Sequence, residues 1–260
     1  MKLEETLSII QEELKPSLTK HCYGILTYGS AARRKDFIPR WSDVDILIAS
    51  DYDFECPKEF YSETADWYTR IREKMEKRGV NWGIEDEVGF SLYDIGSITS
   101  GRLCWMLPSF KEHLMRSARV LWGGDFRGVM SDEYHKANEE AGVAYSLWRT
   151  RVAASTLDYN ERHDERQLKY DFKKSTKALG NFFRDAVVLE GGKLREDTKP
   201  GIAEQFVELF PKVNAKDVKD ILTVPSRWPN VSHNEMEDLF FKGLRIREVA
   251  VGVLTKDKRV

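Results

Sequence analysis

The segment that decides the fold spans residues 25–48 and has the sequence ILTYGSAARRKDFIPRWSDVDILI. Its first apolar run ends at Gly29 and Ser30, a basic loop of about a dozen residues follows, and a second apolar run opens with Asp43 and Asp45. β-Branched and aliphatic residues dominate both runs, which is typical of buried strands. The segment therefore predicts two strands of a small sheet, joined by a polar loop.

Two acidic side chains stand at the start of the second strand. Because side chains alternate between the faces of a strand, Asp43 and Asp45 are expected to point one way and Val44 the other. Two carboxylates a few ångströms apart repel each other, and a hard divalent cation is the usual remedy. Mg²⁺ suits this position because it accepts a few carboxylates together with phosphate oxygens. The pair therefore predicts a magnesium site for a phosphorylated substrate.

The loop before these acids has groups that suit a triphosphate. Gly29 lets a backbone N–H approach a phosphate closely, and Ser30 adds a hydroxyl donor beside it. The basic run Arg33, Arg34 and Lys35 can neutralise the negative tail. Together with the acids, these groups predict phosphoryl-type transfer assisted by two metal ions.

The pattern YGSAAR followed by WSDVDILI resembles the nucleotidyltransferases of the DNA polymerase beta superfamily. Its form is most similar to the aminoglycoside (kanamycin-type) and minimal nucleotidyltransferases, and the match covers about residues 23–95. The resemblance implies that Asp43 and Asp45 bind two Mg²⁺ ions and that ATP is the nucleotide. It also implies a nucleotide-binding set, namely Gly29, Ser30, Arg33 and Ser42.

The family places a third metal-binding carboxylate on a neighbouring strand, and two acids of the segment EVGFSLYDI compete for this role. The piece that begins at Glu87 is similar to the Glu-Val strand of the aminoglycoside enzymes. Val88 and Asp94 share a parity, and the apolar residues of that parity assign it to the packed helices. Glu87 has the opposite parity and is predicted as the catalytic and metal-binding acid. A bulge at Gly89 would shift the register and reverse the choice.

The resemblance implies that an acceptor hydroxyl attacks the α-phosphorus of a nucleoside triphosphate and that pyrophosphate leaves. The acceptor is expected to be a hydroxyl of a small molecule or of a protein, and Glu139 or Glu140 is conceivable as the general base. Two other hypotheses stay open. One is a nucleotide sensor or antitoxin-like module without turnover, and the other is nucleotide addition to an RNA end.

The chain is predicted to have an α+β nucleotidyltransferase domain over residues 1–124 and a helical bundle over 125–260 that binds the acceptor. The first domain is expected to contain a small mixed sheet with helices, and a Gly/Ser turn is predicted near residues 96–101. Apolar residues at helical spacing predict the bundle helices, at 131–160, 164–190, 201–210, 215–223 and 232–254. Residues 172–194 resemble the HEPN type of helical domain.

Composition restricts the partners and the compartment. The formal net charge is -2 and the pI is about 6.3, so the chain lacks the basic field that dominates binding to long nucleic acids. Its three cysteines are far apart and predict neither a disulfide framework nor a metal site. Neither a signal peptide nor a membrane span is indicated, so a cytoplasmic protein is expected. A homodimer is one option that the sequence leaves open.

Overall fold

The computed structural model describes residues 3–39, 41–53, 57–80, 88–100, 108–130, 165–228 and 230–256. The chain divides into two compact units, the first of residues 1–104 and 113–134 and the second of residues 105–112 and 135–260. A domain boundary at Gly124 stays a prediction.

The first unit is built on a four-stranded mixed sheet, as predicted. Its strands are β1 (Cys22–Tyr28), β2 (Val44–Ser50), β3 (Val88–Asp94) and β4 (Arg119–Gly123), in the order β3-β2-β1-β4. The central strand β1 is antiparallel to both of its neighbours, whereas β2 and β3 are parallel. The four strands come from the apolar runs of the sequence, which are rich in β-branched and aliphatic residues.

Helices of the first unit cover one face of the sheet, here called the helix face and defined by Val44, Ile46 and Ile48. These three side chains are at most 2% exposed and pack in one apolar core with Trp67, which confirms their predicted burial. The helices of this unit are α1 (Leu3–Glu12), α2 (Pro16–Thr19), α3 (Gly29–Arg33), α4 (Lys58–Lys77) and α5 (Ile95–Ser100), together with the part of α6 (Pro108–Ser117) that begins at residue 113.

A buried carboxylate joins the first and fourth helices. Glu13, which directly follows α1, accepts from Arg70 Nε at 2.9 Å and lies 2.5 Å from Lys74 Nζ. The hydrogen bond from Lys74, with a further one from Arg70, lowers the pKa of Glu13 below its usual value despite the opposing effect of burial. The ionised form of Glu13 therefore stabilises this helix pair.

The turn predicted near residues 96–101 is wrong, because residues 95–100 form helix α5. The carboxylate of Asp94 accepts the Ser97 backbone N–H at 2.6 Å and the Ser97 hydroxyl at 2.8 Å. It thereby satisfies a donor that the first turn of a helix leaves without an intrahelical partner. The aspartate that ends β3 is thus also the residue that starts the helix, whereas the glycine and serines of the segment alone favoured a turn.

The described part of the second unit is helical, in agreement with the prediction of a bundle. Its helices are α7 (Glu165–Gly191), α8 (Lys199–Leu209), α9 (Ala215–Arg227) and α10 (His233–Lys256). Phe183, Phe206 and Phe210 stack in series in its core, with ring centroids 4.7 and 4.6 Å apart. The helix predicted for residues 131–160 lies outside the described residues.

Two glycines of α10 have different surroundings. A Cβ atom on Gly243 would lie 2.3 Å from Cδ1 of the buried Leu179 on α7, so the absence of a side chain permits close packing there. A Cβ atom on Gly252 would meet nothing within 4 Å. Within the described ranges of the chain, no helix is long and apolar enough to cross a membrane.

Candidate active site

The side chains opposite the helix face define a second surface of the sheet, here called the carboxylate face. Tyr28 of β1, Asp45 of β2 and Gly89 of β3 lie side by side in the strand register. Directly paired residues on neighbouring strands project from the same face of a sheet. Asp45 is therefore directed away from the helix face, and both it and Asp43 are half-buried.

The two carboxylates act on a common neighbour. Burial raises the pKa of the Tyr28 hydroxyl, and the negative charges of the Asp45 and Asp43 carboxylates raise it further. Both acids are thus near enough to Tyr28 for their charges to be felt there. Oδ1 of Asp43 is itself buried. Both acids thus have Tyr28 as a common neighbour, and their role as metal ligands stays a prediction.

Glycines lie on both sides of the Asp45 carboxylate. An ideal Cβ atom on Gly29 would lie 3.6 Å from Oδ2 of Asp45, and one on Gly89 would lie 3.6 Å from Oδ1. Any larger side chain at either position would occupy space next to a carboxylate oxygen. Hard cations bind such oxygens together with phosphate or water oxygens, which need this space. The donor set and the two glycines therefore fit a magnesium ion with a triphosphate.

The turn at Gly29 and Ser30 joins β1 to α3. Gly29 has a φ of 68°, in the left-handed region that a residue with a Cβ atom enters only at a cost. Its N–H donates to the hydroxyl of Ser117 on α6 at 3.2 Å. The N–H of Gly29 is therefore engaged within the protein, whereas the predicted contact of the half-buried Ser30 with a nucleotide stays a prediction.

The basic residues after the turn separate in the structure. Arg33 Nε donates to the Asp36 carboxylate at 2.5 Å. Arg34 lies 3.3 Å from the Glu4 carboxylate of α1. Because α1 packs on the helix face, Arg34 is directed away from the carboxylate face. The sequence, in contrast, predicts that Arg34 neutralises the triphosphate.

Ser42 shapes the loop that leads to the acids. It is 7% exposed, and its hydroxyl accepts the Ile38 N–H at 3.0 Å while its own N–H donates to the Ile38 carbonyl at 2.8 Å. This reciprocal pair fixes the entry into β2 one residue before Asp43. The structure thus shows Ser42 in contact with the loop, and its predicted contact with the nucleotide remains a prediction.

Asp94 and Glu87 competed for the role of third carboxylate. Asp94 pairs with Ser50 at the far end of β2, and its carboxylate caps α5. Glu87 lies outside the described residues, as do Glu139 and Glu140. Among the residues that the structure does describe, no three His, Cys, Asp or Glu side chains cluster in a way that could hold a metal ion.

Two residues with aromatic rings at the carboxylate face, Tyr28 and His113, are not among the site residues that the sequence predicts. Tyr28 directly precedes Gly29 and pairs with Asp45, so strand alternation alone could have indicated it. His113 of α6 is 6% exposed and meets the Tyr28 ring edge-on, with centroids 6.1 Å apart and an interplanar angle of 87°. The sequence contains no signal for His113, because it lies far from the motif along the chain.

A cavity of about 300 Å³ opens on the other side of the sheet. It is lined by residues of α1, β1, α3 and β4, including Glu4, Thr27, Ala31, Arg34 and Arg119. Thr27 pairs with Ile46 and so belongs to the helix face. This cavity is therefore separate from the Asp45 carboxylate, which lies on the opposite face of the sheet.

The mixed sheet with an acidic pair at the start of β2, together with a second unit whose described part is helical, is an α+β fold that resembles that of a solved adenyltransferase. One similar solved structure is the spectinomycin adenyltransferase AAD(9) from Enterococcus faecialis, crystallised with ATP and spectinomycin. The comparison gives a TM-score of 0.58 and 11% sequence identity, and covers 95% of this chain and 99% of that chain. No family model matches the chain, and no curated protein does. The likeness therefore establishes the fold, and function has to be argued from the site.

Proposed function

We propose that this protein is a magnesium-dependent nucleotidyltransferase that moves AMP from ATP to a hydroxyl of a small-molecule acceptor and releases pyrophosphate. The observation that carries the proposal is the half-buried Asp45 carboxylate, flanked by Gly29 and Gly89 on the carboxylate face. The fold, shared with an adenyltransferase solved with ATP and spectinomycin, supports ATP and a small acceptor.

In the proposed reaction the acceptor oxygen forms a bond to the α-phosphorus. The bond from that phosphorus to the oxygen bridging to the β-phosphate breaks, and its electron pair leaves with pyrophosphate. Magnesium, when bound, offsets the negative charge that the phosphates carry and develop. Asp43 and Asp45 hold it, while the Ser30 hydroxyl and backbone N–H hold the triphosphate tail. The acceptor proton passes to a general base, for which Glu139 and Glu140 stay the predictions.

Glu87 is proposed as the third carboxylate because of the register of β3. Val88 to Asp94 pair with Val44 to Ser50 without a shift, so the bulge at Gly89 that would have reversed the parity does not occur. Gly89 has the parity of Asp45, and Glu87 stands two positions before it in the sequence, which is the spacing of residues that share a face of a strand. The carboxylate of Asp94, in contrast, is used to cap α5.

The reaction is tested by incubating the protein with Mg²⁺, each of the four nucleoside triphosphates and a panel of polyhydroxylated amino-sugar and aminocyclitol acceptors. We expect pyrophosphate release with ATP and an acceptor mass increased by one AMP. A protein that binds ATP without releasing pyrophosphate would instead be a sensor, and this result would overturn the proposal.

Site variants identify the groups responsible. Asp43→Asn and Asp45→Asn are each expected to lower the rate of transfer at least tenfold. The reason is that stabilisation by a bound metal ion is worth several kcal/mol, and about 1.4 kcal/mol corresponds to a factor of ten in rate. Asp51→Asn makes the same chemical change at an exposed acid just beyond β2 and should leave transfer unchanged. Thermal melting of all three variants separates loss of the site from loss of the fold.

The third carboxylate is tested by a second pair. Glu87→Gln should abolish most of the turnover and weaken the dependence on Mg²⁺. Asp94→Asn should mainly lower thermal stability, because it weakens the cap of α5. A large loss of turnover in Asp94→Asn with a normal Glu87→Gln would show that the third carboxylate is assigned to the wrong end of β3.

A further inference from the structure

The last turn of α6 contacts the turn between β1 and α3 through one hydroxyl group. Ser117 is 5% exposed, and its hydroxyl both accepts the Gly29 N–H at 3.2 Å and donates to the His113 carbonyl at 2.7 Å. The donated bond fixes the hydroxyl orientation, so that its lone pairs point towards the N–H of Gly29. A residue distant in sequence thus holds the glycine at which the turn begins.

The side chain of His113 borders the same space. An ideal Cβ atom on Gly29 would lie 3.5 Å from Nε2 of His113 and 3.6 Å from Oδ2 of Asp45. The imidazole and the carboxylate therefore flank Gly29 on the side where a Cβ atom would project. The edge-on contact with Tyr28 holds the imidazole in this place.

We propose that Ser117 is a positioning residue for the nucleotide, acting through the Gly29 N–H, and that His113 forms a wall of the triphosphate site beside Asp45. This inference rests on the proposed function. The hydroxyl of Ser117 holds Gly29 in its left-handed conformation, which in turn directs the N–H and hydroxyl of Ser30 to the phosphates. Without that acceptor the N–H of Gly29 would have to find another, and the turn would move to reach it.

The test measures KM for ATP, KM for the acceptor and kcat in Ser117→Ala and Ser117→Thr. The alanine variant should raise KM for ATP about tenfold, since the net value of one such hydrogen bond corresponds to roughly a 2–13-fold change. KM for the acceptor should stay within about twofold, and the threonine variant, which retains a hydroxyl, should restore KM for ATP. A purely structural role would lower melting temperature without this selective change.

Ser175→Ala is the matched control. Ser175 is fully buried, and its hydroxyl donates to the Asp171 carbonyl four residues earlier at 2.6 Å, the same local bond that Ser117 makes to His113. Its replacement should affect melting temperature in a similar way and leave KM for ATP unchanged. If Ser175→Ala and Ser117→Ala raise KM for ATP equally, the positioning role is overturned.

Further variants and the wild-type protein decide the remaining cases. If Ser117→Ala does not fold, Ser117→Cys keeps the side-chain size with a weaker acceptor, and a normal KM for ATP in that variant would overturn the inference. His113→Phe keeps an aromatic ring at this position but removes the nitrogens, and should weaken MgATP binding measured by titration calorimetry. If wild-type protein neither binds MgATP nor transfers AMP, the proposed function fails and this inference fails with it. If wild-type protein is active and Ser117→Ala has a normal KM for ATP, this inference alone fails.

Discussion

Replacing each of the two glycines beside Asp45 by alanine tests two properties of the proposed site separately. One is the left-handed backbone conformation at Gly29, and the other is the space next to the Asp45 carboxylate. Gly29→Ala places a methyl group in ordinary contact with His113 Nε2 and Asp45 Oδ2, at 3.5 and 3.6 Å, so no steric clash is expected. Its cost comes from the φ of 68°, which is unfavourable for alanine by about 1–2 kcal/mol. Gly89→Ala places a methyl group 3.6 Å from Oδ1 of the same carboxylate.

The two variants should therefore change stability in opposite directions. Gly29→Ala should lower the melting temperature by about 2–8 °C. This range combines the conformational cost of about 1–2 kcal/mol with a shift of about 2–4 °C per kcal/mol for a chain of this size. Gly89 lies within β3, without a positive φ, and alanine there should raise the free energy of unfolding by roughly 0.5–1 kcal/mol. Differential scanning calorimetry measures both changes.

Both variants should lower kcat/KM for transfer. Each methyl group occupies space next to one oxygen of Asp45, so each should lower kcat/KM by about 10–100-fold, which corresponds to roughly 1.4–2.8 kcal/mol of lost transition-state stabilisation. A Gly89→Ala protein with wild-type kcat/KM would refute the reasoning, because the space beside Asp45 would then be unnecessary. Equal melting temperatures for Gly29→Ala and wild type would show that the left-handed turn is not needed for stability.

Two further predictions concern stability. Gly252→Ala should raise the free energy of unfolding by up to about 1 kcal/mol, since alanine is the better helix former, whereas Gly243→Ala should lower it because the new methyl group overlaps a buried leucine of α7. Urea denaturation of the two variants gives the sign of each change. Glu13→Gln should cost about 1–2 kcal/mol at pH 7. The folded-state pKa of Glu13 is lowered, so this contribution is complete above the unfolded carboxyl pKa of about 4.3 and is lost as pH falls through the folded value. The variant and wild type should therefore converge as pH falls, and a difference that stays constant on acidification would contradict this.

The strands and the faces of the sheet were predictable because they depend on local alternation. Val44, Ile46 and Ile48 are buried among the helices as the period of two requires. The same alternation directs Asp45 to the other face and gives Gly89 its parity. A chain that buries one face of a sheet must keep this register, because a shift of one residue would expose every apolar side chain.

The contacts made by individual polar groups were not predictable, because they depend on partners distant in the chain or on competing local bonds. Ser117 reaches Gly29 across 88 residues of sequence. Arg33 and Ser42 carry the residue types of a nucleotide site, and yet the structure shows them bonded to Asp36 and Ile38. Residue type thus indicated which groups can bind a phosphate, but not which of them the fold already uses.

The competition for the Gly29 N–H shows how the fold and the proposed chemistry depend on each other. A phosphate-binding turn needs donors directed at the ligand, and a donor left without an acceptor inside the protein costs free energy before the ligand arrives. Here the hydroxyl of Ser117 satisfies the Gly29 N–H, which fixes the turn in advance. The Gly29 N–H is then not available to a bound phosphate. In return, the turn loses less conformational freedom when a ligand binds, because it is already held in place. In the proposed site the Ser30 donors would meet the triphosphate on a preformed turn, so replacement of Ser117 should weaken ATP binding more than it changes the chemical step.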